Sequence, residues 1–197
     1  MFKQSDTQRI ILASASPRRR ELLEGLGLRF KVEPADCDES ILPGESPKEM
    51  VSRLAAMKAQ SLSKRYPEAW IVGADTTVVL DGAILGKPES AEEAASMLGK
   101  LSGRWHVVWG GVALINSAKG ISHVECHFSE VEMEPMPPEM IAAYVHSCEP
   151  MDKAGSYAIQ GIGAALVAQV KGSYTNVVGL NLNALVRLLR RFQVIFP

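Results

Sequence analysis

Apolar and polar positions change period along this chain, and the changes mark out its elements. Arg9-Ile10-Ile11-Leu12-Ala13 is apolar without alternation, which predicts a short buried strand. Beyond Ser14-Ala15-Ser16-Pro17, the residues Leu22, Leu23 and Leu26 recur on one helical face. Ser16 suits the N-cap of that helix, Pro17 its first position and Gly27 its stop. A second helix opens on the capping box Ser46-Pro47-Lys48-Glu49 and carries Met50, Val51, Leu54, Ala55, Lys58, Ala59 and Leu62, stopping before Pro67. Ala69 to Ala74 reads as a buried strand continued by Thr76 to Leu80, and Asp81-Gly82 as a hairpin turn returning through Ala83-Ile84-Leu85. Ser90-Ala91-Glu92-Glu93 is another capping box, with a helix ending near Leu101-Ser102-Gly103.

The stretch from Trp105 to Glu134 predicts two long strands around a turn at Asn116 to Gly120. Alternation of His123, Glu125 and His127 with Val124, Cys126 and Phe128 suits a sheet with one wet face. Pro137-Pro138 starts a helix through Ile141, Tyr144 and Val145. A strand is expected around Ala164 to Val170, and a last helix carries Leu182, Leu185, Leu188, Leu189 and Phe192. Strands alternating with helices predict an α/β or α+β domain on a mixed sheet.

Composition narrows the classes. The 197 residues are expected to form one domain, residues 1–197, with room for two lobes. A content of 47% hydrophobic and 22% charged residues excludes disorder. The 21 Lys+Arg against 22 Asp+Glu leave a net charge of −1, which argues against a nucleic-acid binder held by whole-surface charge. An anionic ligand must therefore meet a local cluster of cations. Cys37, Cys126 and Cys148 are far apart and form no C-x-x-C pair, so neither a disulfide framework nor a zinc site is indicated and reduced cytosolic thiols are expected. The stretch from Met1 to Asp6 lacks a signal-peptide pattern, and the apolar run from Val107 to Ile115 is well short of the roughly 20 residues that span a bilayer. A cytoplasmic protein without membrane contact is the expectation.

Chemistry concentrates in a few places. Ser14 to Arg19 joins a strand end to a helix start, where backbone N–H groups and the helix dipole suit an anion. The Ser14 and Ser16 hydroxyls add donors, and Arg18 and Arg19 add forks matched to phosphate oxygens. The plain alternative is a solvated arginine run, although basic residues in a first turn oppose the dipole. Asp75 lies between Trp70-Ile71-Val72 and Val78-Val79-Leu80, where a lone carboxylate needs a metal, a cation or donors. It is either a general base or metal ligand at the carboxyl end of a strand, or a β-bulge or strand-end aspartate capping local N–H groups. Lys87 in Gly86-Lys87-Pro88 and Lys58 fit an anionic site, or are respectively a solvated loop residue and one snorkelling from an apolar face. Asp36, Asp38 and Glu39 form an acidic loop able to hold Mg²⁺ through oxygens, or simply solvated. Gln160 closes the polar segment Asp152 to Gly161 and carries both a donor and an acceptor, as reading a base edge requires; the segment otherwise reads as an ordinary loop. The four histidines form no convincing zinc pattern, and P-loop and Rossmann glycine signatures are missing.

In order and spacing, these segments resemble the Maf family of nucleoside triphosphate pyrophosphatases. The resemblance rests on Ser14-Ala15-Ser16-Pro17-Arg18-Arg19, Glu39, Arg53-Leu54-Ala55 to Lys58-Ala59, Gly73-Ala74-Asp75-Thr76 and Gly86-Lys87-Pro88. It continues through Leu101-Ser102-Gly103, Asp152-Lys153-Ala154-Gly155 to Gln160-Gly161, Gly172-Ser173-Tyr174 and Asn176-Val177-Val178-Gly179-Leu180. It implies a Maf/ITPase-like fold: an elongated mixed β-sheet flanked by helices, two lobes with a central cleft, in a homodimer. It implies hydrolysis between the α and β phosphates with a divalent metal cation, Mg²⁺ or Mn²⁺. Asp75 would accept the proton of the attacking water, and Glu39 would bind metal with it or orient that water. Ser14, Arg18, Lys58 and Lys87 would hold the triphosphate and its developing charge. Arg19, Thr76 and Gln160 would set nucleotide choice. The Asp-Lys-Ala-Gly-x-Tyr-x-Ile-Gln-Gly form is similar to the dTTP/UTP branch, which implies dTTP, UTP and modified pyrimidine nucleotides as substrates. A preference for 7-methyl-GTP or another nucleotide is the alternative within the class; the 7-methyl-GTP branch differs there and usually has Trp where Arg18 stands. A non-catalytic nucleotide-binding regulator of cell division is the reading from another class. One departure is Asn181, where the family usually has proline; Asn181 is expected to cap the last helix instead.

Overall fold

The computed structural model describes residues 2–197; Met1, where the expectation about the N-terminus begins, lies outside them. In chain order the elements are β1 (Lys3–Gln4), β2 (Ile10–Leu12), α1 (Pro17–Glu24), β3 (Phe30–Val32), α2 (Pro47–Ser63), β4 (Trp70–Leu80), β5 (Ala83–Leu85), α3 (Ala91–Leu101), β6 (Trp105–Asn116) and β7 (Ile121–Met133). Then follow α4 (Pro138–His146), 3₁₀ turns at Glu149–Asp152, Ala154–Ser156 and Gly161–Leu166, β8 (Val167–Lys171), α5 (Tyr174–Val178), α6 (Leu182–Arg191) and β9 (Ile195–Phe196). The residues gather into two compact units. The first comprises residues 2–75, Gly110–His127 and Gly179–Pro197, the second Thr76–Trp109 and Phe128–Val178.

In the first unit the sheet order is β3-β2-β4-β6-β7, with β2 parallel to both neighbours in the register Leu12↔Val32 and Leu12↔Val72. Helices cover both faces, which is why β2 and the start of β4 are apolar without alternation. Ile10, Leu12, Trp70, Val72 and Ala74 pack with Leu23 of α1 and Leu185, Leu188 and Leu189 of α6. On the opposite face Ile11, Ala13, Ile71, Ala113 and Ile115 pack with Ala55, Ala59 and Leu62 of α2. Asn181 starts α6 as a cap, its Oδ1 accepting from the Ala184 N–H at 3.1 Å. That bond replaces what a proline would do by fixing φ.

In the second unit the order is β5-β4-β6-β7-β8 around Val78, Leu80, Leu98, Leu101, Val108, Val131 and Met133. Asp81 and Gly82 turn the β4–β5 hairpin with φ of 51° and 82°, both positive as a two-residue primed turn requires.

Several local expectations change in the folded chain. The carboxylate of Glu93 reaches back to the N–H of Glu89 rather than Ser90, so the second capping box is only half formed. The strand expected from Ala164 begins at Val167, because Gly161–Leu166 coil into a 3₁₀ segment first. On β7 the polar face is the covered one. His123, Glu125 and His127 are half-buried, and Glu125 Oε2 accepts from Arg187 of α6 at 2.5 Å, whereas Phe128 is 57% exposed. A cationic helix attracted the acidic face of the strand, which the alternation alone could not reveal.

His106 of β6 is buried in the second unit; its Nε2 lies 2.8 Å from the Tyr157 hydroxyl and its Nδ1 has no hydrogen-bond partner among the described residues. Burial pushes its pKa down to about 4. A histidine depressed when folded takes its proton first in the unfolded chain, so its stability contribution is complete above about pH 6.5 and lost as pH falls to about 4. The loss amounts to about 3 kcal/mol. Urea titrations across that window are expected to show a shallower pH slope for His106→Gln than for the wild-type chain.

Candidate active site

Two glycines let α2 lie against the sheet of the first unit. A Cβ at Gly73 would stand 2.1 Å from the Ala55 carbonyl oxygen, and one at Gly111 2.1 Å from that of Val51. Backbone therefore touches backbone, and α2 turns Val51, Ala55, Ala59 and Leu62 to the strands. Lys58 rises among these residues at helical spacing. Alternation along β4 puts Ile71, Gly73 and Asp75 on the face toward α2. The Lys58 ammonium consequently meets Asp75 Oδ1 at 2.7 Å, and it meets Glu39 Oε2 at 2.7 Å as well. Lys58 and Asp75 are each 7% exposed.

Asp75 is in the middle of β4, not at its carboxyl end as expected. The strand that ends is β2, whose last pairing is Leu12 with Val72, followed by one bond from the Ala13 N–H to the Val72 carbonyl. The Asp75 carboxylate has an ammonium as its partner rather than local N–H groups. Burial pushes this carboxyl above the usual carboxylate range, and the charges of Lys58 and Arg19 pull it back only in part. It is a more basic carboxylate than one in water. Burial also lowers the pKa of Arg19, against the opposing pull of Asp75 and Glu39.

Ser14 and Arg19 are locked to one another. Ser14 Oγ accepts from the Ser16 N–H at 3.2 Å and from Arg19 Nη1 at 3.3 Å, while Arg19 Nε donates to the Gly179 carbonyl at 2.8 Å. Both acceptor directions of the hydroxyl are used, so its own proton is the donor that remains. The helix start supplies less than expected, because Pro17 has no N–H and those of Arg19 and Arg20 go to Ser16. An anion here meets side chains more than backbone. Arg18, beside Arg19, is half-exposed.

Only one carboxylate of the acidic loop belongs to this cluster. Asp38 folds back on Ser40 through its N–H and hydroxyl, and Asp36 is exposed. Glu39 is presented by a clamp that the sequence reading did not assign. Arg53 of α2 donates from Nε and Nη2 to the two oxygens of Glu45, both at 2.6 Å, and from Nη2 to the Ser40 carbonyl at 3.0 Å. This forked pair ties the loop carrying Glu39 to the helix carrying Lys58. Its available signal was an arginine five residues before Lys58, with a glutamate just ahead of the helix.

Ser14, Arg19, Glu39, Lys58 and Asp75 are thus brought together in the first unit. Arg18 is in the same unit, whereas Thr76, Lys87 and Gln160 belong to the second. Thr76 follows Asp75 along β4 and is half-buried. Lys87 is exposed on the turn after β5, and that turn is joined to the Asp152–Gly161 segment by the Gly155 N–H donating to the Gly86 carbonyl at 3.0 Å. Gln160 is half-buried, and its amide makes no hydrogen bond among the described residues. The segment it closes begins with 3₁₀ turns at Glu149–Asp152 and Ala154–Ser156 and is irregular over 157–160.

A sequence profile described as Maf-like protein matches residues 9–192. The chain is 49% identical to a dTTP/UTP pyrophosphatase of Gloeobacter violaceus over 187 residues, covering 95% of this chain and 97% of that one. It is 50% identical to one from Symbiobacterium thermophilum, covering 94% of each, and 48% identical to one from Myxococcus xanthus, covering 98% and 97%. Among solved structures it is similar to the Staphylococcus aureus Ham1 protein, with a TM-score of 0.55 at 14% identity, and to a HAM1 protein from Coxiella burnetii, with 0.56 at 17%. Each likeness covers 94% of this chain and 98% of the other, and both show a shared α/β fold.

Proposed function

The chain belongs to the Maf-like family, and from that premise we propose that it hydrolyses dTTP and UTP between the α and β phosphates to the nucleoside monophosphate and pyrophosphate. The observation carrying this reading is the meeting of Asp75, Lys58 and Glu39 at one ammonium group. Water attacks the α-phosphorus, its oxygen forming the new bond while the bond to the bridging oxygen breaks and pyrophosphate leaves. Asp75 takes the water's proton, and its raised basicity suits it to that task near neutral pH. Lys58 holds Asp75 through one oxygen, which orients the carboxylate toward its proton. Ser14 and Arg18 bind phosphate oxygens, with Lys58 and Lys87 sharing their charge. Arg19, Thr76 and Gln160 select the nucleotide.

The donor set fits a divalent cation. Mg²⁺ is held by one or two carboxylates together with substrate phosphates rather than by a full protein cage, and Asp75 and Glu39 are such a pair. When bound, Mg²⁺ or Mn²⁺ supplies charge neutralisation at the phosphates. A cytoplasmic homodimer remains part of this reading; three free thiols support the compartment, and no helix of the described residues is long and apolar enough to cross a membrane.

A panel of dTTP, UTP, CTP, GTP and 7-methyl-GTP with Mg²⁺ or Mn²⁺ in ¹⁸O-water tests the proposal. Fastest turnover is expected for dTTP and UTP, with the label in the monophosphate. A preference for 7-methyl-GTP reassigns the branch, and absence of pyrophosphate from every nucleotide points to a binding protein.

A further inference from the structure

In the second unit one carboxylate organises the chain on both sides of Gln160. Glu149 Oε2 accepts from the Ile162 N–H at 3.1 Å, and Oε1 accepts from the Gly163 N–H at 2.9 Å. The same Oε1 accepts from the Tyr144 hydroxyl at 2.9 Å, and that hydroxyl oxygen in turn accepts from the Ala158 N–H at 3.1 Å. Residue 158 on one side and residues 162 and 163 on the other thus hang from a single group, with Gln160 between them.

The glycines show how closely the chain wraps it. Gly161 has a φ of +68°, and a Cβ there would stand 2.4 Å from Glu149 Oε2. A Cβ at Gly163 would stand 2.5 Å from the Tyr144 hydroxyl. Tyr144 is 3% exposed, so water has little access to compete for these bonds. Burial pushes the Glu149 carboxyl up, but the donated bonds from Gly163, Ile162 and Tyr144 outweigh it and hold the group below the usual range. The Gln160 amide lacks any bond of its own among the described residues, so its donor and acceptor are left for a base edge, and the backbone that carries it sets where it can meet one.

We propose that Glu149, acting directly and through Tyr144, is the positioning residue for nucleobase selection, because it fixes the backbone from which Gln160 reads the base. This rests on the proposed pyrophosphatase function and on Gln160 as a selecting residue. An amide discriminates between base edges only when its donor and acceptor are held in one orientation, so loosening its backbone weakens binding of the matched base more than that of a mismatched one.

Steady-state kinetics with dTTP, UTP, CTP and GTP on the wild-type chain, Glu149→Ala, Glu149→Gln and Tyr144→Phe test it. For Glu149→Ala, kcat/KM for the preferred nucleotides is expected to fall about 30-fold, chiefly through KM, and that for the disfavoured ones about threefold, a tenfold loss of selectivity equal to about 1.4 kcal/mol. Glu149→Gln keeps the shape and one acceptor oxygen and recovers part of the selectivity. Tyr144→Phe removes the hydroxyl that donates to Glu149 and accepts from the Ala158 N–H but leaves the bonds from Ile162 and Gly163 to Glu149, and shifts selectivity in the same direction by less; these two variants decide the matter if Glu149→Ala does not fold. Equal losses for all four nucleotides, or unchanged selectivity in Glu149→Gln and Tyr144→Phe, overturn the proposal. A wild-type chain that releases no pyrophosphate overturns the underlying function, whereas a selective wild-type chain with unaltered variants overturns this inference alone.

Discussion

Asp75→Asn is expected to reduce turnover about a thousandfold or more while leaving the melting temperature, measured with chelator present, equal to or above that of the wild-type chain. The two halves of this result have separate causes. Asparagine fills the same space and still meets Lys58, but it cannot take a proton from water. Stability moves the other way, because burial raises the carboxyl's pKa above its unfolded value. The folded chain then binds the Asp75 proton more tightly than the unfolded one, so the ionised group's contribution to stability falls as pH rises through the window above the unfolded value. At neutral pH the charge opposes folding, and a neutral amide relieves that. Glu39 still accompanies Lys58, so the ammonium is not stranded. Stopped-assay pyrophosphate release and thermal melts measure both halves. Undiminished turnover would remove Asp75 from the proton transfer.

Gly73→Ala is expected to lower both stability and turnover. The added Cβ would lie 2.1 Å from the Ala55 carbonyl oxygen and 2.9 Å from the Ala59 nitrogen. These are backbone atoms of α2, so no rotamer change relieves the clash and the helix must move by about 1 Å. Overpacking of this kind costs about 3 kcal/mol, or roughly 10 °C in melting temperature for a chain of this size. The same shift carries Lys58 away from Asp75, and a misplacement of about 1 Å is expected to lower kcat about 100-fold. Gly99→Ala is the comparison: it lies within α3 with nothing within 4 Å of the new Cβ, and alanine there stabilises by up to about 1 kcal/mol. A melting temperature for Gly73→Ala equal to the wild-type value would mean that α2 does not need this close approach.

Much of the fold was legible because its signals are local. Ser46, Glu49 and Pro47 marked the start of α2 to the residue, Asp81-Gly82 marked the hairpin, and Asn181 marked the start of α6. The elements that escaped were short or depended on distant partners. The ribbon of β1 and β9 pairs Lys3 with Phe196 across almost the whole chain, and α5 is only five residues long. The polar face of β7 was legible as a pattern but not in its direction, since the choice was made by Arg187, 62 residues further on. Within the candidate site, the lone acid on an apolar strand stood out, whereas the Arg53–Glu45 clamp did not, because an ion pair leaves no periodic trace.

By itself, the sequence determined where helices start, where the chain turns, and which residues carry charges suited to a triphosphate. These properties follow from steric and hydrogen-bonding preferences acting over a few residues. Tertiary structure alone decided that Glu39, Lys58 and Asp75 share one point, and that Glu149 holds both sides of Gln160. Such meetings depend on how closely separate segments can approach. In the first case the approach is set by a missing Cβ at Gly73, in the second by the room that Gly161 and Gly163 leave around a carboxylate.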